Sequence, residues 1–94
     1  MIHDGFLKEY NEGSKLISIV LEIATEVKRA RSLFPEKFHN QHEGYAVILE
    51  EIDELWDEIK KNQKNYDLPA QRKEAIQAAA MLVRFIDELL PETK

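Results

Sequence analysis

From Tyr45 to Ile59 the apolar residues fall at every third or fourth position, and this period constrains the fold more than any other feature. Tyr45, Ile48, Leu49, Ile52, Leu55, Trp56 and Ile59 cover roughly 120° of a helix circumference at 100° per residue. A strand would place them on alternate residues instead. The same period recurs on both sides. Leu16, Val20, Ile23, Val27, Ala30 and Phe34 mark a stripe that Ile17, Leu21 and Ala24 widen. They predict a first helix over 14–34, buried on more than one side, with Gly13 as its break, Ser14 as its N-cap and Pro35 as its stop. Asn40 with Glu43 three residues later resembles a capping box and opens a second helix over 41–62. Asp67 and Pro69 suit the cap and first turn of a third helix over 68–90, which Pro91 ends. Its broad apolar side is Ala75, Ile76, Ala78, Ala79, Val83, Phe85, Ile86, Leu89 and Leu90. The opposite stripe is Glu74, Gln77, Met81, Arg84 and Glu88.

The fold class predicted is all-α, a compact bundle of three main helices forming one domain over residues 1–94. Residues 1–13, with Ile2, Phe6, Leu7 and Tyr10, are an N-terminal arm or a short helix. Three Gly, three Pro and little Val or Thr argue against a sheet. With no cysteine, disulfides, thiolate zinc sites and cysteine nucleophiles are excluded. The apolar runs are too short to cross a bilayer, no signal peptide opens the chain, and a cytoplasmic setting is expected. A net charge of −5 disfavours duplex nucleic acid as a partner. Wide apolar faces on so small a domain predict a homo-oligomer.

The chemistry lies in the acids bordering the second stripe. Glu50, Glu51 and Glu54 read E-E-x-x-E, and Glu51 and Glu54 project from one side of a helix one turn apart. If helices two and three are antiparallel neighbours, Glu74 and Gln77 meet them across a cleft. Hard oxygen ligands so gathered suit Mg²⁺. The bland account is a solvated acidic face. Trp56 reads as core. Arg84 either pairs with Glu88 or Glu54, or contacts a phosphate. His42, beside His39 at the start of helix two, is either a surface residue or a substrate contact.

Glu50-Glu51-x-x-Glu54, nineteen further residues, then Glu74-x-x-Gln77, resembles the MazG-like all-α nucleoside triphosphate pyrophosphatases over residues 14–90. That family's signature is E-E-x-x-E followed by E-x-x-D. The resemblance implies Mg²⁺-dependent (Mn²⁺ being possible) hydrolysis of a (d)NTP to the monophosphate and pyrophosphate, by a homodimer or tetramer. It implies metal ligation by Glu51, Glu54 and Glu74, with Glu50 as an outer member of the catalytic acids. Gln77 stands where the family has Asp. An amide oxygen can still ligate a hard cation but brings no charge, so the alternative is a weakened or inactive relative that acts by binding.

Overall fold

A computed structural model describes residues 4–61 and 67–92, with side chains from residue 11 onward. Among these residues there are three α-helices and no strand: α1 (Asp4–Leu33), α2 (Gln41–Ile59) and α3 (Leu68–Leu89). Residues 1–3 and 62–66, and with them Ile2 and most of the connection between helices two and three, lie outside the described residues.

The helix signals act as their chemistry dictates, with two corrections. The Asn40 side chain accepts from the Glu43 N–H at 2.9 Å. The Glu43 carboxylate returns not to the Asn40 N–H but to that of His39, at 3.2 Å, so the box closes one residue early. Asp67 accepts from the Ala70 N–H at 3.0 Å, and Pro69 stands in the first turn of α3. α2 stops at Ile59, where the Lys60 N–H reaches the Trp56 carbonyl at 2.9 Å. The larger correction concerns Gly13 and Ser14. They neither break nor cap α1, which starts at Asp4 and runs straight through them. A mid-helix glycine costs only about 1 kcal/mol, and the flanking Glu12 and Lys15 are good helix formers. Pro35 does end the helix.

α3 is the central element. α1 and α2 each pack on it and not on each other. α2 lies antiparallel along it: Gly44 at one end of α2 faces Phe85 and Leu89, and Glu54 at the other faces Glu74. Gly44 permits the close approach, because a Cβ there would stand 2.7 Å from Cδ2 of Phe85. The core is Val27 and Ala30 from α1, Phe38 from the connection, Ile48 from α2, and Ala80 and Met81 from α3. The Ala78–Ala80 run serves close packing, with Ala78 buried and Ala80 fully so.

The inward face of α3 takes residues from both stripes that the sequence distinguished. Met81 and Arg84 are buried, and Glu74, Gln77 and Glu88 lie at least half-covered on the same stripe. The broad apolar side is divided: Ala78 is buried and Phe85 and Leu89 pack on the core, while Val83, Ile86 and Leu90 are exposed. α1 is likewise not buried on more than one side: Leu16, Ile17, Val20 and Leu21 are all more than half exposed. Trp56, expected in the core, is 56 % exposed. Val83, Ile86 and Leu90 lack cover because only α1 and α2 pack on α3, leaving part of its surface open. The first half of α1 extends beyond the packed unit, and the radius of gyration is 16.7 Å, against about 12 Å for a fully compact chain of this length. No described helix is long and apolar enough to cross a membrane.

Candidate metal centre and adjoining cleft

The antiparallel pairing of α2 and α3 brings the two acidic motifs together. One carboxylate oxygen from each of Glu51, Glu54 and Glu74 lies within 4.8 Å of the other two. Ligand oxygens around Mg²⁺, at about 2.1 Å from the ion, stand about 3.0–4.2 Å apart. Small side-chain rotations would close the triad to that spacing. Oε2 of Glu51 and Oε2 of Glu74 are buried and accept no hydrogen bond from the described residues. Buried polar atoms ordinarily have partners, so two orphaned acceptors in one acidic cluster fit a cation.

The electrostatics follow from burial and crowding. Partial burial, then the charges of Glu54 and Glu74, raise the Glu51 carboxyl from its ordinary 4.5 to about 7. Burial, then Glu54, raises Glu74 as well. A divalent cation would reverse this, since it favours the ionised oxygens.

Because the backbones of α1 and α2 stay apart, a cleft of about 460 Å³ opens between them. Gln77, Met81 and Arg84 of α3 contribute to its lining, as do Glu50 and Glu51 of α2. Glu51 thus belongs both to the triad and to the cleft, and Gln77 shares the cleft with it. Leu33, Phe34 and Val47 add apolar lining. A volume of this size is ordinary for a small-molecule site.

Arg84 lines the cleft but its guanidinium is engaged. Its Nε donates to Glu88 at 2.9 Å, Nη2 donates to the Glu36 carbonyl at 3.2 Å, and the group sits 4.5 Å from the Phe38 ring centroid. Of the partners expected for Arg84, the structure therefore has Glu88 and not Glu54. His42 is exposed and does not line the cleft, while His39 Nδ1 lies 2.7 Å from the Glu43 carboxylate.

One group went unnoticed in the sequence, and a second was foreseen only as a partner of Arg84. Glu26 of α1 lines the cleft, and its charge helps raise Glu51. Its distance along the chain hid it, since only tertiary contact brings α1 to the triad. The other is Glu88, whose side chain is 1 % exposed. It accepts from Arg84, from Arg31 at 2.9 Å and from the Phe38 N–H at 2.9 Å. Burial alone would raise its carboxyl, but these hydrogen bonds prevail and hold it at about 2. The four-residue spacing of Arg84 and Glu88 was the one available signal.

Comparisons with known protein families, with characterised proteins and with solved structures return no match to this chain.

Proposed function

We propose that this chain is a Mg²⁺-dependent nucleoside triphosphate pyrophosphohydrolase of the MazG-like kind, active as a homo-oligomer. The observation that carries the reading is the convergence of Glu51, Glu54 and Glu74, two of them with an orphaned carboxylate oxygen, beside a nucleotide-sized cleft that Glu51 also lines. The resemblance to the MazG-like family supplies the reaction class. Glu51, Glu54 and Glu74 would hold the ion, with the Gln77 amide oxygen as a neutral neighbour. Bound there, Mg²⁺ offsets polyphosphate charge and lowers the pKa of water. Glu50 lies outside the triad and lines the same cleft. Next to Glu51 in sequence, it would take a proton from the attacking water. As water adds to phosphorus, the α–β anhydride bond breaks and pyrophosphate leaves with the electron pair. Leu33, Phe34 and Val47 offer the base an apolar wall.

One observation favours a non-catalytic relative that binds nucleotide or protein: Gln77 brings no charge to the cleft. Gln77→Asp restores it, and is expected to enlarge the Mg²⁺-induced rise in melting temperature and to increase pyrophosphate release from a panel of common NTPs and dNTPs. Glu51→Ala should abolish both effects. Release from neither wild type nor Gln77→Asp rejects the hydrolase. No melting shift with Mg²⁺ or Mn²⁺ in either protein rejects the metal site as well.

The oligomer is supported by the outward faces. Leu16, Val20 and Leu21 of α1 and Val83, Ile86 and Leu90 of α3 leave more apolar surface exposed than a small monomer ordinarily shows. Light scattering at micromolar concentration is expected to give a mass of at least two chains. A single-chain mass overturns this part of the reading.

A further inference from the structure

A second groove, of about 680 Å³, runs between α1 and α3 and shares Glu26, Arg29 and Gln77 with the cleft. Three cations line it: Arg29 from α1, and Arg72 and Lys73 from α3. Only two acids, Glu22 and Glu26, line it with them. In a chain of net charge −5, this is a local excess of positive charge.

The cations rest on partners they can leave. Arg29 makes a two-pronged contact with Glu26, at 2.6 Å and 2.9 Å, and Arg72 reaches across to Glu22. The Arg29 and Arg72 side chains are 53 % and 55 % exposed. The Arg72–Glu22 pair, with Glu22 46 % exposed, is weakly held, whereas Glu26 is 15 % exposed and holds Arg29 more firmly. A phosphate offers a guanidinium a two-oxygen edge much as a carboxylate does, and a chain of phosphates offers several.

The groove also adjoins the triad. Glu51 adds to the forces that keep Arg29 charged, so the two groups feel each other. From residue 72 to residue 77, α3 rises about 7.5 Å. That is the reach of a short phosphate chain rather than of one phosphate. Before a cation binds, the triad repels an anion here. A bound divalent cation offsets most of that charge.

We propose that Arg29, Arg72 and Lys73 bind the phosphate chain of the substrate in this groove, while its other end meets the cation at the triad. The proposal rests on the metal-dependent reading above and assigns the substrate's phosphates to particular residues.

Calorimetric titration with inorganic tripolyphosphate, with Mg²⁺ and again in EDTA, tests it. Wild type should bind more tightly with Mg²⁺. Arg72→Gln with Lys73→Gln should weaken binding at least about tenfold, while the Mg²⁺ melting shift persists. Lys28→Gln with Lys37→Gln removes the same charge at exposed positions outside both grooves. It should change binding less than about twofold, as expected for screened surface charge. Equal binding by the first double variant and wild type overturns the proposal. So does an equal loss in both double variants, which marks general charge attraction. If Mg²⁺ shifts no melt, the metal reading fails separately, and the same comparison in EDTA decides the groove. No binding by wild type in either condition overturns it.

Discussion

Glu88→Ala is expected to destabilise the fold by about 3–5 kcal/mol, the usual cost of removing one member of a buried ion pair. The carboxylate ties three segments together. Arg31 reaches it from α1, the Phe38 N–H from the connection, and Arg84 from one turn earlier on α3. Without it, the Arg84 guanidinium, only 6 % exposed, keeps the Glu36 carbonyl and the Phe38 ring but no counter-charge. A small domain has about 5–15 kcal/mol in all, so the variant should unfold at far lower urea. Arg84→Met with Glu88→Leu should cost much less, because both charges leave together. The cleft adds a functional consequence. Arg84 and Phe38 line it, so the loss of Glu88 should also loosen its wall. Urea midpoints of the three proteins check the expectation. A Glu88→Ala cost below about 1 kcal/mol means that the pair is not structural.

In EDTA, the metal-free protein is expected to be most stable near pH 5 and to weaken toward pH 8. Two shifted carboxyls set this window. Glu51 rises from 4.5 to about 7 in the folded chain, so its share of stability is complete below 4.5 and is lost as pH rises through 7. Glu88 falls from 4.5 to about 2, so its share is present above 4.5 and is lost as pH drops toward 2. Discounted for partial exposure, the alkaline loss from Glu51 is about 1–3 kcal/mol. Glu51→Gln carries no titrating group and should flatten the alkaline limb. Mg²⁺ should restore stability at pH 8, where it meets ionised oxygens, and do little at pH 5. Thermal melts from pH 4 to 9 in EDTA, then with Mg²⁺, read all of this. A melting temperature that climbs from pH 5 to pH 8 in EDTA, unchanged in Glu51→Gln, would show that the triad is not crowded.

Local chemistry was legible in the sequence because it acts over a few residues. The 3.6-residue period marked all three helices, and Asn40, Asp67, Pro35 and Pro69 placed most of their ends. Gly13 misled because a glycine lowers helix stability without forbidding the helix. The convergence of Glu51, Glu54 and Glu74 was also foreseeable, since it needs only two helical spacings and an antiparallel pair. Which face of α3 turns inward was not. Its sequence offers a broad apolar side, and the burial of apolar surface points to that side as the core face. The tertiary structure buries Ala78 of that side together with Ala80, Met81 and Arg84, and leaves Val83 and Ile86 of the same side outside. Small residues let α1 and α2 approach closely there, and Glu88 offsets the buried charge of Arg84. Glu26 and the Arg29–Arg72–Lys73 groove likewise exist only because α1 crosses α3. Such contacts join residues about fifty positions apart. No local period records them, because chain separation and spatial distance are independent until the helices pack.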